Sequence, residues 1–302
     1  MKITLAETAG FCFGVKRAVD TVYELVESGK KVCTLGPIIH NPQLVADLEQ
    51  KGVRVVSSVG EVSDGEILVI RSHGVPEIVM DEATASGASI VDATCPFVSK
   101  IHKIVKEASG EGNAILVAGD KNHQEVIGIV GHASGEVYVF CDEASLEDLL
   151  KNHPEFEEKS VCVVSQTTFN EKIWKNCEKN LKKYCTNAKI FDTICNATSM
   201  RQTEANELSK INDAMVVIGG KHSSNTKKLY DVCSKNCGRT LLIETADELE
   251  ANFFEGVVTV GVVAGASTPA TIIKEAISKM SEILKPVEEQ AEVTEVVQNS
   301  FE

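Results

Sequence analysis

The chain has no long hydrophobic run. Nowhere in its 302 residues do apolar positions approach the roughly 18 in succession that cross a bilayer, so no membrane association is expected. Its first residues read as a strand pattern, so no secretory leader is expected and a cytoplasmic location is the expectation. Basic charge is scarce. With 30 Lys and Arg against 44 Asp and Glu, the formal net charge is −14, which argues against nucleic acid as a partner of the 1–282 core. An anionic small ligand is still admitted, since a local cluster of donors can outweigh the global field. There is no Gly-x-x-x-x-Gly-Lys-Ser/Thr loop and no Gly-x-Gly-x-x-Gly fingerprint, so a nucleotide is not the default ligand. No Cys-x-x-Cys pair is present, which weakens a zinc site. Cysteine itself is plentiful, with ten in the chain. In a reducing cytosol they are not expected to pair as disulfides, and metal or redox chemistry is expected of some of them.

Short apolar runs alternate with helical patterns along the chain. Residues 2–6, 32–35, 67–70, 89–91, 114–117, 137–140, 161–164, 189–191, 215–218, 240–243 and 257–263 read as strands. Many are apolar at consecutive positions and rich in Val and Ile, as parallel strands covered on both faces are. Val15, Ala18, Val19, Val22, Leu25 and Val26 form one helical stripe, and Val98, Ile101, Ile104, Val105 and Ala108 form another. Strand–helix alternation predicts right-handed βαβ units. An internal repeat organises them. Gly36, Gly119 and Gly219 each stand 24 residues after Cys12, Cys95 and Cys195, and His40, His123 and His222 follow them. The fold class expected is α/β, with three pseudo-symmetric lobes of mostly parallel sheet around a central iron–sulfur cluster. Residues 1–12 give an N-terminal strand joining the core, 13–95 lobe 1, 96–194 lobe 2 and 195–282 lobe 3. Residues 283–302 are an acidic tail or linker.

Each of the three cysteines ends a strand and precedes an amphipathic helix: Gly10-Phe11-Cys12-Phe13-Gly14, Asp92-Ala93-Thr94-Cys95-Pro96 and Asp192-Thr193-Ile194-Cys195-Asn196. A helix N-terminus favours the thiolate, which is the ligand form. Pro96 suits a first helical position, and Thr198 or Ser199 could cap the helix after Cys195. Three thiolates suit a cubane cluster with one iron left open, since full ligation takes four. An open metal position is what a catalytic site needs. Ordinary buried cysteines and a zinc site are the rival readings. Cys233 and Cys237 lie on a helical pattern and read as structural. Cys33, Cys141, Cys162, Cys177 and Cys185 read as core or surface thiols.

Polar loops accompany the cysteines. His40-Asn41-Pro42, His73-Gly74, Asn122-His123-Gln124-Glu125 and His222-Ser223-Ser224-Asn225 each precede a helical pattern. Such residues beside free backbone N–H groups make an anion site, and phosphate is the expected anion. Helix capping alone is the plainer reading of Ser223 and Asn225. His102, His132 and His153 lack this context and read as surface or structural residues. Glu125 is the one carboxylate directly within these inward-facing loops. Burial and like charge would raise its pKa and suit it to general acid work, whereas a plain first-turn glutamate is the alternative.

These motifs resemble the 4-hydroxy-3-methylbut-2-enyl diphosphate reductases, the LytB/IspH family. The likeness spans about residues 1–282 and rests on Gly10 to Ala18, His40-Asn41-Pro42, Arg71-Ser72-His73-Gly74, Asp92 to Pro96, His123-Gln124-Glu125, Gln166-Thr167-Thr168, Ser223-Ser224-Asn225 and Ala266-Ser267-Thr268-Pro269. The resemblance implies a [4Fe-4S] cluster on Cys12, Cys95 and Cys195. It implies a diphosphate held by His40, His73, His123, Ser223, Ser224, Asn225 and Ser267, with Glu125 and Thr167 beside the substrate hydroxyl. The implied reaction removes that hydroxyl reductively and gives isopentenyl and dimethylallyl diphosphates. A cluster that passes electrons singly implies an external donor such as a ferredoxin or flavodoxin. An iron–sulfur sensor or scaffold without turnover is the rival reading from another class, and a zinc-dependent hydrolase a third.

Overall fold

The computed structural model describes residues 2–39 and 41–283; Met1, His40 and residues 284–302 lie outside the described residues, and with them the acidic tail. In chain order the strands are β1 (Lys2–Leu5), β2 (Lys31–Leu35), β3 (Arg54–Val56), β4 (Glu66–Ile70), β5 (Ser89–Asp92), β6 (Ala114–Ala118), β7 (Val137–Phe140), β8 (Val161–Ser165), β9 (Ala188–Ile190), β10 (Ala214–Ile218), β11 (Thr240–Ile243) and β12 (Thr259–Ala264). The α-helices are α1 (Phe13–Glu27), α2 (Pro42–Gln50), α3 (Glu77–Ala85), α4 (Pro96–Gly110), α5 (Gln124–Val130), α6 (Glu143–Asn152), α7 (Glu171–Tyr184), α8 (Asn196–Ile211), α9 (Ser224–Asn236) and α10 (Ala270–Ile283).

The strands form three four-stranded sheets of one design, ordered β3-β2-β4-β5, β7-β6-β8-β9 and β11-β10-β12-β1. Every pairing is parallel. In each of the first two sheets the fourth strand is the last made. In the third, that place is taken by β1 from the opposite end of the chain. The cause of the parallel layout is visible in β6, Ala-Ile-Leu-Val-Ala, which is buried at all five positions. Alternate side chains of a strand point to opposite faces. Leu116 and Val163 accordingly join Trp174 and Phe156 on one face, while Ile115, Val117 and Val164 join Ile101 and Val105 of α4 on the other. Full burial of each such side chain contributes about 1.5–3 kcal/mol, which is what holds helices on both faces.

The helical stripes fall where periodicity puts them. Ala18, Val19 and Val22 of α1 and Val98, Ile101 and Val105 of α4 are buried. Strand β3 is the one the apolar pattern did not announce. It is three residues long and exposed at Arg54 and Val55, as an edge strand is. Parallel strands place all their carboxyl ends on one side of a sheet, so the three sheets aim their loops at a shared centre.

Candidate active site

The three strands that close the sheets, β1, β5 and β9, lead to Cys12, Cys95 and Cys195, and each cysteine is the N-cap residue of the next helix. None of the three side chains caps its helix. Pro96 does occupy the first position of α4. Thr198 and Ser199 do not cap α8, because that helix already begins at Asn196; both lie inside its first turn. The backbone fixes all three cysteines in the same way. The N–H of Cys12 donates to the Ala266 carbonyl at 3.1 Å, that of Cys95 to Ser72 at 3.0 Å and that of Cys195 to Thr167 at 3.0 Å. Each acceptor lies in the loop after the neighbouring strand of its sheet, so one hydrogen bond repeated three times sets three thiols in register.

The three thiols line a single cavity, together with Ser72, His73, His123, Glu125, Thr167, Thr168, Ser223, Ser224, Asn225 and Ser267. At Gly14 a Cβ would stand 2.5 Å from the Cys95 sulfur, so glycine is what lets the first turn of α1 approach it. Burial raises the Cys95 thiol, while the amides of Phe97 and Val98 pull it down and the neighbouring Cys12 and Cys195 push it up. Cys195 is raised by burial as well, opposed by the amide of Ala197, with Cys12 again pushing up. Thiols close enough to repel one another as anions, with helix amides beside the sulfurs of Cys95 and Cys195, are a donor set for a cationic group. Among the described residues no three His, Cys, Asp or Glu side chains are grouped as one metal ion would need them.

Glu125 is buried in the first turn of α5. It accepts from the Thr167 N–H at 2.6 Å and from the Thr167 hydroxyl at 2.8 Å. Burial raises its carboxyl from 4.5 to about 7, and the two bonds from Thr167 offset only part of that rise. His123 is the N-cap of α5, its Nδ1 accepting from the Glu125 N–H at 3.1 Å. That bond keeps Nδ1 unprotonated, so the ring's proton sits on Nε2 and Nε2 is a donor. His73 packs edge-on against His123, with ring centroids 5.4 Å apart. Ser223 caps α9 by accepting from the Thr226 N–H. Asn225 Oδ1 and Nδ2 and Ser267 Oγ are buried without a hydrogen-bond partner among the described residues. Buried polar atoms of that kind are costly unless something else satisfies them.

The glycines of the 24-residue repeat have a steric cause. A side chain at Gly36 would strike Arg71, at Gly119 would lie 2.6 Å from Val126, and at Gly219 would lie 2.7 Å from Thr226 and Thr268. Each lets a polar loop cross close over the end of the central strand.

Sequence reasoning missed several residues and misplaced one. His222 is exposed and lines a separate groove with Pro37 and Ile39, so the third lobe does not bring its histidine to the cavity. His40 lies outside the described residues. Of the two readings open for His102, surface or structural, the structure shows the second: it is buried, stacked on His132 at 3.9 Å, and fills the space beneath Gly74. Burial pushes it down to about 3. Arg201, unmarked by any motif, lines the cavity and donates to the carbonyls of Gly10 at 2.8 Å and Ala197 at 2.9 Å, tying α8 to the loop before Cys12. Thr168 bridges to Ser224 at 3.0 Å and so joins the second and third lobes.

Three parallel α/β lobes that set one cysteine each around a shared polar cavity define a trefoil protein with a three-thiol centre. The sequence profile of the LytB protein family matches residues 3–281. A relative from Thermoanaerobacter sp. (strain X514), named 4-hydroxy-3-methylbut-2-enyl diphosphate reductase, is 46% identical over 284 residues, 93% of this chain and 96% of that protein. A solved structure described as (E)-4-hydroxy-3-methyl-but-2-enyl diphosphate reductase, the terminal enzyme of the non-mevalonate pathway, is 41% identical and covers 93% of this chain and 100% of its own, with a TM-score of 0.67. The structure of E-1-hydroxy-2-methyl-but-2-enyl-4-diphosphate reductase from Plasmodium falciparum is 28% identical and covers 94% of this chain and 88% of its own, with a TM-score of 0.85. The chain belongs to the LytB family. Among the described residues no helix is long and apolar enough to cross a membrane.

Proposed function

We propose that the chain reduces 4-hydroxy-3-methylbut-2-enyl diphosphate to isopentenyl and dimethylallyl diphosphates. The observation that carries the reading is one buried carboxyl, poised at about 7 and pinned by Thr167, in the same cavity as three thiols. Cys12, Cys95 and Cys195 would hold a [4Fe-4S] cluster. Their chemistry fits it: they are soft donors, arranged around a cavity rather than gathered on one ion. When bound, such a cluster supplies single electrons and a Lewis-acidic iron.

The chain's own side chains do the rest. His40, His73, His123, Ser223, Ser224, Asn225 and Ser267 hold the diphosphate, and the partnerless amide of Asn225 and hydroxyl of Ser267 support that role. They fix the hydroxyl-bearing carbon near Glu125. Breaking the C–O bond takes two electrons and two protons and releases one water. Hydroxide is a poor leaving group, so a proton must reach the oxygen as the bond breaks. Glu125 is protonated often enough near neutral pH to give it, and the Thr167 hydroxyl orients or relays it. The electrons come from an external one-electron carrier of the ferredoxin or flavodoxin type, in the cytoplasm.

An anaerobic assay with this diphosphate and a chemical reductant such as dithionite tests the reading. Both products are expected. Full iron and sulfide content with no turnover would leave a sensor or scaffold instead.

A further inference from the structure

Arg201 is the one arginine or lysine among the described residues that line the cavity. It stands on α8 beyond Cys195 and is only 7% exposed. A guanidinium stays protonated at any ordinary pH, so its charge is permanent. Burying such a charge is strongly disfavoured unless a counter-charge sits beside it.

No carboxylate fills that place. The guanidinium donates to two carbonyls, Gly10 at 2.8 Å and Ala197 at 2.9 Å, and its Nε is buried with no partner among the described residues. Gly10 lies two residues before Cys12 and Ala197 two residues after Cys195, so the charge is fixed between two of the thiols. Glu204, the next acid along α8, is engaged elsewhere. It accepts from the N–H groups of Glu7 and Thr8 at 2.6 and 3.0 Å and from the Thr8 hydroxyl. Those three bonds already hold the loop before Cys12. Burial pulls the guanidinium below its ordinary value, and Cys12 and Cys195 offset the fall ahead of Glu204.

We propose that Arg201 is the counter-charge of the three-thiolate centre and sets its reduction potential, which rests on the reading of the chain as a cluster-bearing reductase. Three thiolates around such a cluster leave the centre anionic, and each electron received adds negative charge. A fixed cation beside it stabilises the reduced state more than the oxidised one, and so raises the potential. Arg201 is a positioning residue in this sense. It acts through its charge and its fixed place, not by touching the reacting atoms.

The test uses protein reconstituted anaerobically with iron and sulfide, without substrate. It is titrated with dithionite through redox dyes, one electron passing from dye to cluster, and the reduced fraction is read by electron paramagnetic resonance. Arg201→Gln keeps a donor and removes the charge. At a fixed poise its reduced-to-oxidised ratio should fall on the order of 10-fold, about 59 mV for one electron. Arg201→Lys keeps the charge and should stay within about threefold of the parent. Glu204→Gln loosens the loop but leaves the guanidinium, and should not lower the ratio. An unchanged ratio in Arg201→Gln overturns the proposal. An equal fall in Arg201→Lys or Glu204→Gln does so too, since the potential would then follow the place of the loop and not the charge. If Arg201→Gln holds no iron, iron content decides. Iron kept by Arg201→Lys supports the charge, and iron lost from both variants marks the shape of the arginine and overturns the proposal. A parent that takes up no cluster sinks the cluster reading and this proposal with it. A parent with an intact cluster but no turnover sinks only the reductase reading, and the potentials still decide the role of Arg201.

Discussion

Glu125 and Asn225 hold the same place in two copies of one design. Each is six residues beyond the glycine that closes its lobe's first central strand, Gly119 or Gly219, and each is buried near the start of its helix. In the second lobe that place carries a titratable group, held by two hydrogen bonds from Thr167. In the third it carries a neutral amide with neither end satisfied among the described residues, and Ala266 accepts the cysteine amide where Thr167 does so in the second. The backbone is repeated, and a single side chain puts a buried carboxyl in one cradle and a neutral amide in the other. The repeat builds geometry, and the exceptions to it build chemistry.

What the lobes share should give the largest effect when broken. Cys95→Ser and Cys195→Ser should each lose iron and sulfide to a similar extent, and turnover with them, because both thiols are fixed by the same backbone bond; Cys33→Ser should not. Intact iron content in either of the first two variants, measured on anaerobic protein, would rule out three equivalent ligands.

What the lobes do not share should separate the next two variants. Glu125→Gln keeps the shape and the contact to Thr167 but cannot deliver a proton, so turnover should fall about 10²- to 10⁴-fold with pyrophosphate binding retained. Asn225→Ala should do the reverse, weakening pyrophosphate binding about 10- to 150-fold, since a hydrogen bond to a charged group contributes roughly 1.5–3 kcal/mol. Removing an unsatisfied buried amide should leave the Tm of the cluster-free protein unchanged or higher. Two variants with the same profile in turnover and binding would end the division of labour.

The smallest effect is in stability and has a definite sign. The folded pKa of Glu125, about 7, lies above its ordinary 4.5. Whatever stability this carboxyl brings is therefore fully present below about 4.5 and lost as pH rises through 7. Glu125→Gln should gain stability relative to the parent between pH 5 and pH 8, by at most on the order of 3 kcal/mol, seen as a Tm difference that grows with pH. Asn225→Ala should show no such trend. A flat difference for Glu125→Gln across that range, read by calorimetry, would mean that the carboxyl is solvated after all.

Much of this was legible in the sequence because it is periodic or local. Consecutive apolar residues such as Ala114–Ala118 announce a strand covered on both faces, and the equal spacing from cysteine to glycine announces the repeat. What was not legible depends on residues far apart in the chain. Arg201 matters through a bond to Gly10, and Ser72 through its carbonyl rather than its side chain. His102 carries no local mark of burial, because Gly74 and Gly128, which make room for it, come from other elements. His222 follows its glycine by three residues where His123 follows by four, so Ser223, the N-cap of α9, takes the place that His123 holds at α5. Strand β3 is too short and too exposed to stand out from a turn.

The place of β1 in the third sheet has a consequence for how the molecule is made. Lys2–Leu5 is synthesised well before its partner strand Thr259–Ala264. The first two sheets draw only on neighbouring stretches and can close during synthesis, whereas the third must bring together segments more than 250 residues apart. Such long loop closure slows folding, and domains completed early wait for it. Cys95 and Cys195 would then be set in place while Cys12 is still untethered, so the three-thiol cavity would be completed late. Pulse-labelled hydrogen exchange during refolding would show it as late protection of the Lys2–Leu5 amides, and early protection there would refute the order.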